Sequence, residues 1–141
     1  MKVINGVLEL ETKQKICFYD LTEKLVQAAR KSGIKNGLAV AFVQHTTAAL
    51  AINENEEKLM ADFLRVLEKF ASSKGKYRHD LKTVDSRING HAHCKHLALN
   101  SSETIPIKDG KLLLGNWQSL FFIELDGPRP KREVVLQFIG D

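Results

Sequence analysis

The sequence predicts a single α+β domain, and three observations carry that reading. Several short stretches alternate apolar and polar residues or run apolar for six to eight positions, as strands do. Two longer stretches repeat apolar residues at spacings of three and four, as helices do. Asp109-Gly110, between Glu103–Ile107 and Lys111–Leu114, is the strongest hairpin signal in the chain. Hairpins interspersed with two or three helices make an α+β domain rather than a parallel α/β one.

In order along the chain, residues 2–11 alternate loosely, with Asn5-Gly6 as a turn signal, and residues 14–19 alternate more cleanly as a paired strand. Asp20 and Glu23 have the spacing of a capping box, so Asp20 should accept from the first helical amides while Glu23 reaches back. Leu21, Leu25, Val26, Ala28 and Ala29 form that helix's apolar stripe, which Ser32-Gly33 should end. Lys35-Asn36-Gly37 turns the chain. Gly37 to Gln44 is apolar almost throughout and predicts a central strand covered on both faces. Ala49 to Ile52 predicts a further short strand. Asn53 or Asn55 should cap a second helix carrying Leu59, Met60, Phe63, Leu64, Leu67 and Phe70. Ala71 to Arg87 is a long polar connection, a kind of segment that more often carries function than not. Asn89 to Leu99 predicts a short helix, Trp117 to Leu125 a strand, and Arg132 to Ile139 a closing strand after the break at Gly127-Pro128-Arg129-Pro130.

With 141 residues the chain fits one domain over its whole length, 1–141. Its 43% hydrophobic and 27% charged content is that of a globular protein, able to bury a core without disulfides. Cys17 and Cys94 read as free thiols. No apolar run reaches the ~20 residues of a membrane span, and the N-terminus lacks a signal-peptide pattern, so a cytoplasmic protein is expected. Net charge is +4. The basic residues are scattered rather than gathered on a face interleaved with aromatics, so a nucleic-acid partner is not expected. An anionic small molecule accounts equally well for the positive bias.

All five histidines lie between positions 45 and 96. None shows the His-x-x-x-His spacing of a helical zinc motif, so a histidine metal site would have to be assembled by the fold from separate segments. Thr46, Thr47, Ser101 and Ser102 place hydroxyls near element ends, where they suit phosphate oxygens or capping. Glu124 and Asp126 alternate on one face, where they would do acid–base work or neutralise Arg129 and Arg132. Trp117 is read as a core aromatic or a pocket wall.

Seven motifs then occur in order: Gln44-His45-Thr46-Thr47-Ala48-Ala49-Leu50, Asn53-Glu54-Asn55, Tyr77-Arg78-His79-Asp80, Ala92-His93-Cys94-Lys95, Ser102-Glu103-Thr104-Ile105-Pro106, Gly115-Asn116-Trp117-Gln118 and Asp126-Gly127-Pro128-Arg129. Together they resemble the YjbQ-like family, also called secondary thiamine-phosphate synthase proteins, over essentially the whole chain. The resemblance implies an antiparallel or mixed β-sandwich flanked by two or three helices, a homotrimer, and a site near subunit interfaces. It also implies a small-molecule enzyme acting on a phosphorylated metabolite, with weak thiamine-phosphate synthase activity. The alternative is a non-catalytic binder of a metal or anionic metabolite. The family's histidines fall on His45, His79 and His93, expected to hold zinc or another divalent metal, or phosphate. Its other positions imply Glu54 and Asp80 as catalytic carboxylates and Thr46, Thr47, Asn53, Ser101, Trp117, Gln118 and Arg129 as substrate-binding residues. Asn89 and Glu124 also match. His91 and His96 stand outside the pattern.

Overall fold

In the computed structural model, which describes all 141 residues, eight strands form two antiparallel sheets that face each other, with three helices around them. The larger sheet has the order β1 (Lys2–Thr12), β8 (Arg129–Gly140), β3 (Gly37–Phe42), β5 (Ser102–Lys108) and β6 (Lys111–Leu112). The smaller has the order β2 (Cys17–Asp20), β7 (Ser119–Glu124) and β4 (Ala48–Asn53). The helices are α1 (Thr22–Ser32), α2 (Glu57–Phe70) and α3 (Gly90–His96), and a single 3-10 turn (Arg78–Leu81) lies in the long connection.

The period-two pattern of the larger sheet points Ala39, Ala41, Ile105, Val134, Leu136 and Phe138 inward, against Ala48, Leu50, Leu120 and Phe122 of the smaller sheet. Leu25 and Ala29 of α1 close one side of this core. The other face of the smaller sheet is also covered: Ala49, Phe121 and Ile123 meet Leu67 of α2 and Ala92 of α3. Phe121 and Phe122 are therefore buried on opposite faces of one strand, each contributing about 1.5–3 kcal/mol of transfer free energy. The strand covered on both sides is thus β7, not β3. On β3 the outward residues Leu38 and Phe42 remain 42% and 41% exposed, because no helix packs on that side of the larger sheet.

Local chemistry explains most element ends and corrects several. Asp109 and Gly110 both have positive φ, as a two-residue type I′ turn requires, and join β5 to β6. Gly33 adopts the left-handed conformation that stops α1. Asp20 does serve the first turn of α1, accepting from the Thr22 amide at 2.8 Å. Glu23 does not reach back but pairs with Gln27. Glu56, not Asn53 or Asn55, caps α2, its two oxygens accepting from the amides of Lys58 and Leu59. Asn5-Gly6 does not turn: both sit inside β1, which pairs with β8 from Lys2 opposite Gly140 to Thr12 opposite Arg129. That pairing carries β8 back through Pro130 to Arg129, three residues earlier than the sequence pattern indicates.

Candidate functional site

A cleft of about 280 Å³ opens at the end of the sandwich where β4 begins and β8 begins, and no apolar residue lines it. The turn before β4 contributes Gln44, His45, Thr46 and Thr47, β8 contributes Arg129 and Arg132, the segment leading into α3 contributes Asp85 and Asn89, and α3 itself contributes His93.

Its floor is a buried ion pair that bridges the two sheets. Arg132 of β8 donates to Glu124 of β7 from Nε at 2.8 Å and from Nη2 at 2.6 Å, a two-pronged contact. The carboxylate is fully buried and the guanidinium nearly so. Glu124 accepts further from the Thr12 hydroxyl and from the amides of Leu125 and Asp126. Burial alone would raise the Glu124 carboxyl, but these bonds hold it below the usual carboxylate range. Arg132 also donates to the carbonyl and hydroxyl oxygens of Thr47, fixing the turn that carries His45 and Thr46.

A second carboxylate organises the opposite wall. Asp126 is 5% exposed and accepts from Arg129 at 2.8 Å and from the Asn89 amide at 2.9 Å. Asn89 turns its carbonyl oxygen to His79 Nε2 at 3.0 Å. Because the Asn89 nitrogen donates to Asp126, this oxygen must accept, so His79 carries its proton on Nε2 and leaves Nδ1 as a lone pair. The rings of His79 and His93 meet edge to face, centroids 4.8 Å apart. Neither ring nitrogen of His93 is hydrogen-bonded to the protein. Burial, then the neighbouring His79, keep its basicity below the ordinary imidazole value.

His45 is held differently. Its Nε2 accepts the backbone N–H of Glu133 at 3.1 Å. The neutral ring must then bear its proton on Nδ1, which makes that atom a donor. Burial and the adjacent Arg132 depress its basicity. His45 thus has no free lone pair for a metal in this arrangement. No three His, Cys, Asp or Glu side chains of the chain are grouped so as to share a metal ion. A three-histidine metal centre does not fit the donor set of one chain.

The fold divides the residues that the motifs single out. His45, Thr46, Thr47, His93 and Arg129 line one cleft, with His79 and Asp80 behind it. Asp80 uses its carboxylate on the Gly90 amide at 2.9 Å, fixing the start of α3. Asn53 is the last residue of β4 and Glu54 lies just past it, at the far end from the cleft. Thr47 and Asn53 are six steps apart along the strand, roughly 20 Å. Asn53 instead borders an apolar groove between α2 and the smaller sheet. Gln118 borders a separate depression beside α1, and Trp117, 75% exposed, is neither core nor wall of the cleft. Ser101 contacts His96 rather than the cleft.

Two features lie outside the site residues that the motifs imply. Asp85 has no flanking pattern and reaches the cleft only through the path of the connection. Lys95 is fully buried, and its ammonium donates to Glu68, Ser73 and His91 Nδ1, tying α3 to the end of α2. His91 therefore accepts at Nδ1 and is neutral, with its Nε2–H unpaired. Two sequence signals touch this cluster: Lys95 stands in the motif Ala92-His93-Cys94-Lys95, and His91 and Lys95 have i, i+4 spacing.

Comparisons with known proteins agree with the fold. The family model described as UPF0047 protein YjbQ-like matches residues 6–141. A UPF0047 protein of Methanothermobacter thermautotrophicus is 37% identical over 132 residues, covering 94% of this chain and 90% of its own. The UPF0047 protein YugU of Bacillus subtilis is 31% identical, covering 88% of this chain and 91% of its own. A crystal structure of a YbjQ-like protein of unknown function from Sulfolobus solfataricus superimposes with a TM-score of 0.94 at 36% identity, over 99% of both chains. With a sandwich of two antiparallel sheets and three helices in common with such structures, and sequence similarity along nearly its whole length, the chain belongs to the YjbQ-like UPF0047 family.

Proposed function

We propose that the polar cleft binds the phosphate of a small phosphorylated metabolite and that the chain is an enzyme acting on it. One observation carries this reading: the cleft is lined by donors. His45 presents Nδ1–H, Arg129 and Arg132 present guanidinium groups held by buried carboxylates, and Thr46 and Thr47 present hydroxyls. Pre-oriented charged donors suit an oxyanion and its transition-state charge. His93, neutral and without a protein partner on either nitrogen, is the group placed to accept or return a proton. Asp80 acts by holding α3, and through it His93, rather than by touching substrate. Glu54 cannot reach the cleft of its own chain.

The test is binding of inorganic phosphate and simple phosphate monoesters, followed by turnover screening. Arg129→Ala should weaken phosphate binding about 10- to 100-fold, the value of a charged hydrogen bond. His93→Gln should abolish turnover while sparing phosphate affinity. Absence of phosphate binding by the wild type at millimolar concentration, or unchanged affinity in Arg129→Ala, refutes the reading. Thiamine-phosphate synthesis is not included. Its departing pyrophosphate calls for magnesium held by several free carboxylates, whereas Glu124 and Asp126 are already taken by arginines and Asp85 alone remains.

A second reading, a non-catalytic divalent-metal binder, is favoured by the His79–His93 pair and by the Asp126–Asn89–His79 relay that frees Nδ1. It needs a further ligand from outside the pair. Elemental analysis that finds one zinc-class ion per wild-type chain and none in His93→Ala would favour it. We propose further that the chain assembles as a homotrimer. Support comes from the uncovered outer face of the larger sheet, where Val3, Val7, Leu38 and Phe42 are 41–54% exposed. No helix is long and apolar enough to cross a membrane.

A further inference from the structure

The cleft has two electrical sides. Arg129 and Arg132 form one, each already matched by a buried carboxylate behind it. Asp85 forms the other and is the only carboxylate among the lining residues. The remaining acids nearby are committed: Asp126 to Arg129, Asn89 and Arg87, Glu124 to Arg132, and Asp80 to the Gly90 amide. Asp85 is not. Its Oδ1 accepts only the Arg87 amide at 3.1 Å. The Arg87 guanidinium is drawn instead toward Asp126, at 3.4 Å, and its Nε stays 4.0 Å from Asp85 Oδ2. That distance is too long for a hydrogen bond. One carboxylate oxygen of this cleft-lining residue therefore has no hydrogen-bond donor from the protein. It also lies close enough to His93 to favour that ring's charged form.

A simple anion would gain nothing from such a group and would be repelled by it. A ligand carrying a cation beside its phosphate would use both sides. Resting on the phosphate-binding reading above, we propose that the substrate class is a phosphorylated amine, a phosphate monoester with an ammonium group, and that Asp85 is the specificity-determining residue. The phosphate lies against His45, Arg129 and Arg132, and the ammonium is taken by Asp85 Oδ2. The volume of about 280 Å³ limits the ligand to a small one, at the lower end of ligand-site sizes.

The experiment compares O-phosphoethanolamine with ethyl phosphate by calorimetry at low salt and neutral pH. The two ligands are similar in size and differ in the ammonium. Asp85 is 61% exposed at its side chain, so the preference is that of a solvated ion pair, about three- to fivefold in favour of the amine. Asp85→Asn keeps the acceptor for the Arg87 amide and should erase that preference, leaving ethyl phosphate binding equal or tighter. Asp85→Glu should retain part of the preference, which separates charge from loop structure. Equal binding of the two ligands by the wild type, or a preference that survives Asp85→Asn, overturns the proposal and leaves the phosphate reading standing. Failure of both ligands and of inorganic phosphate to bind overturns the phosphate reading itself.

Discussion

Replacing Glu124 by alanine removes one half of an ion pair that is closed to water on both sides, with Arg132 4% exposed and Glu124 0%. The loss has three parts: the guanidinium keeps its buried charge without a counterion, the Thr12 hydroxyl loses its acceptor, and the Asp126 amide is left unpaired, while the Leu125 amide keeps the Thr47 carbonyl. Breaking a buried pair from one side costs about 3–5 kcal/mol, a large fraction of the 5–15 kcal/mol typical of a domain. With a urea slope of roughly 2 kcal/mol per molar, the unfolding midpoint should fall by about 2 M. Urea titration followed by circular dichroism, at one fixed protein concentration so that self-association does not enter, measures this. The double change Glu124→Leu with Arg132→Met removes both charges at similar volume and should recover most of the loss. A midpoint shift under about 0.5 M for Glu124→Ala with unchanged slope would refute the reasoning. So would a double variant no more stable than the single one. The same pair holds Thr47, so Glu124→Ala protein that remains folded should also bind phosphate more weakly.

Acid should act on Glu124 and on the second buried carboxylate, Asp126, with a definite sign. Glu124 and Asp126 are both held below their ordinary values by their arginine and hydrogen-bond partners, despite the opposing effect of burial. Their contribution is complete above the unfolded values near 4.5 and 3.8 and is lost as pH falls below them. Urea midpoints should be flat for these groups from pH 7 to about 5 and fall below it, and Glu124→Gln should flatten part of that fall. Stability that holds constant down to pH 2 would contradict the pairing. At the other surface, Phe42→Asp puts a charge in the middle of the uncovered sheet face. Sedimentation velocity should show a trimeric wild type and a monomeric but folded variant, whereas an unchanged oligomer would move the interface elsewhere.

Most of the local architecture and several polar residues of the cleft are legible in the sequence alone. Period-two runs mark most strands, the spacing of Leu25 and Ala29 marks the buried face of α1, and Asp109-Gly110 marks its hairpin, because each signal lies within a few residues. Motif order identified His45, His79, His93 and Arg129, and neutralisation of Arg132 and Arg129 is one of the two roles offered for Glu124 and Asp126. The partners of those groups come from the packing of distant segments. Glu124 meets Arg132 across two sheets, and Glu133 supplies the amide that turns His45 into a donor, 88 residues away in sequence. Neither partner follows from local spacing, since register and sheet packing choose it. The strand β4 gives the clearest case. Asn53-Glu54 and Thr46-Thr47 are close in sequence, but an extended chain advances about 3.3 Å per residue and carries them to opposite ends of the sandwich. Asp85 shows the converse: a residue without any local pattern becomes part of the cleft because the path from α2 to α3 brings it there.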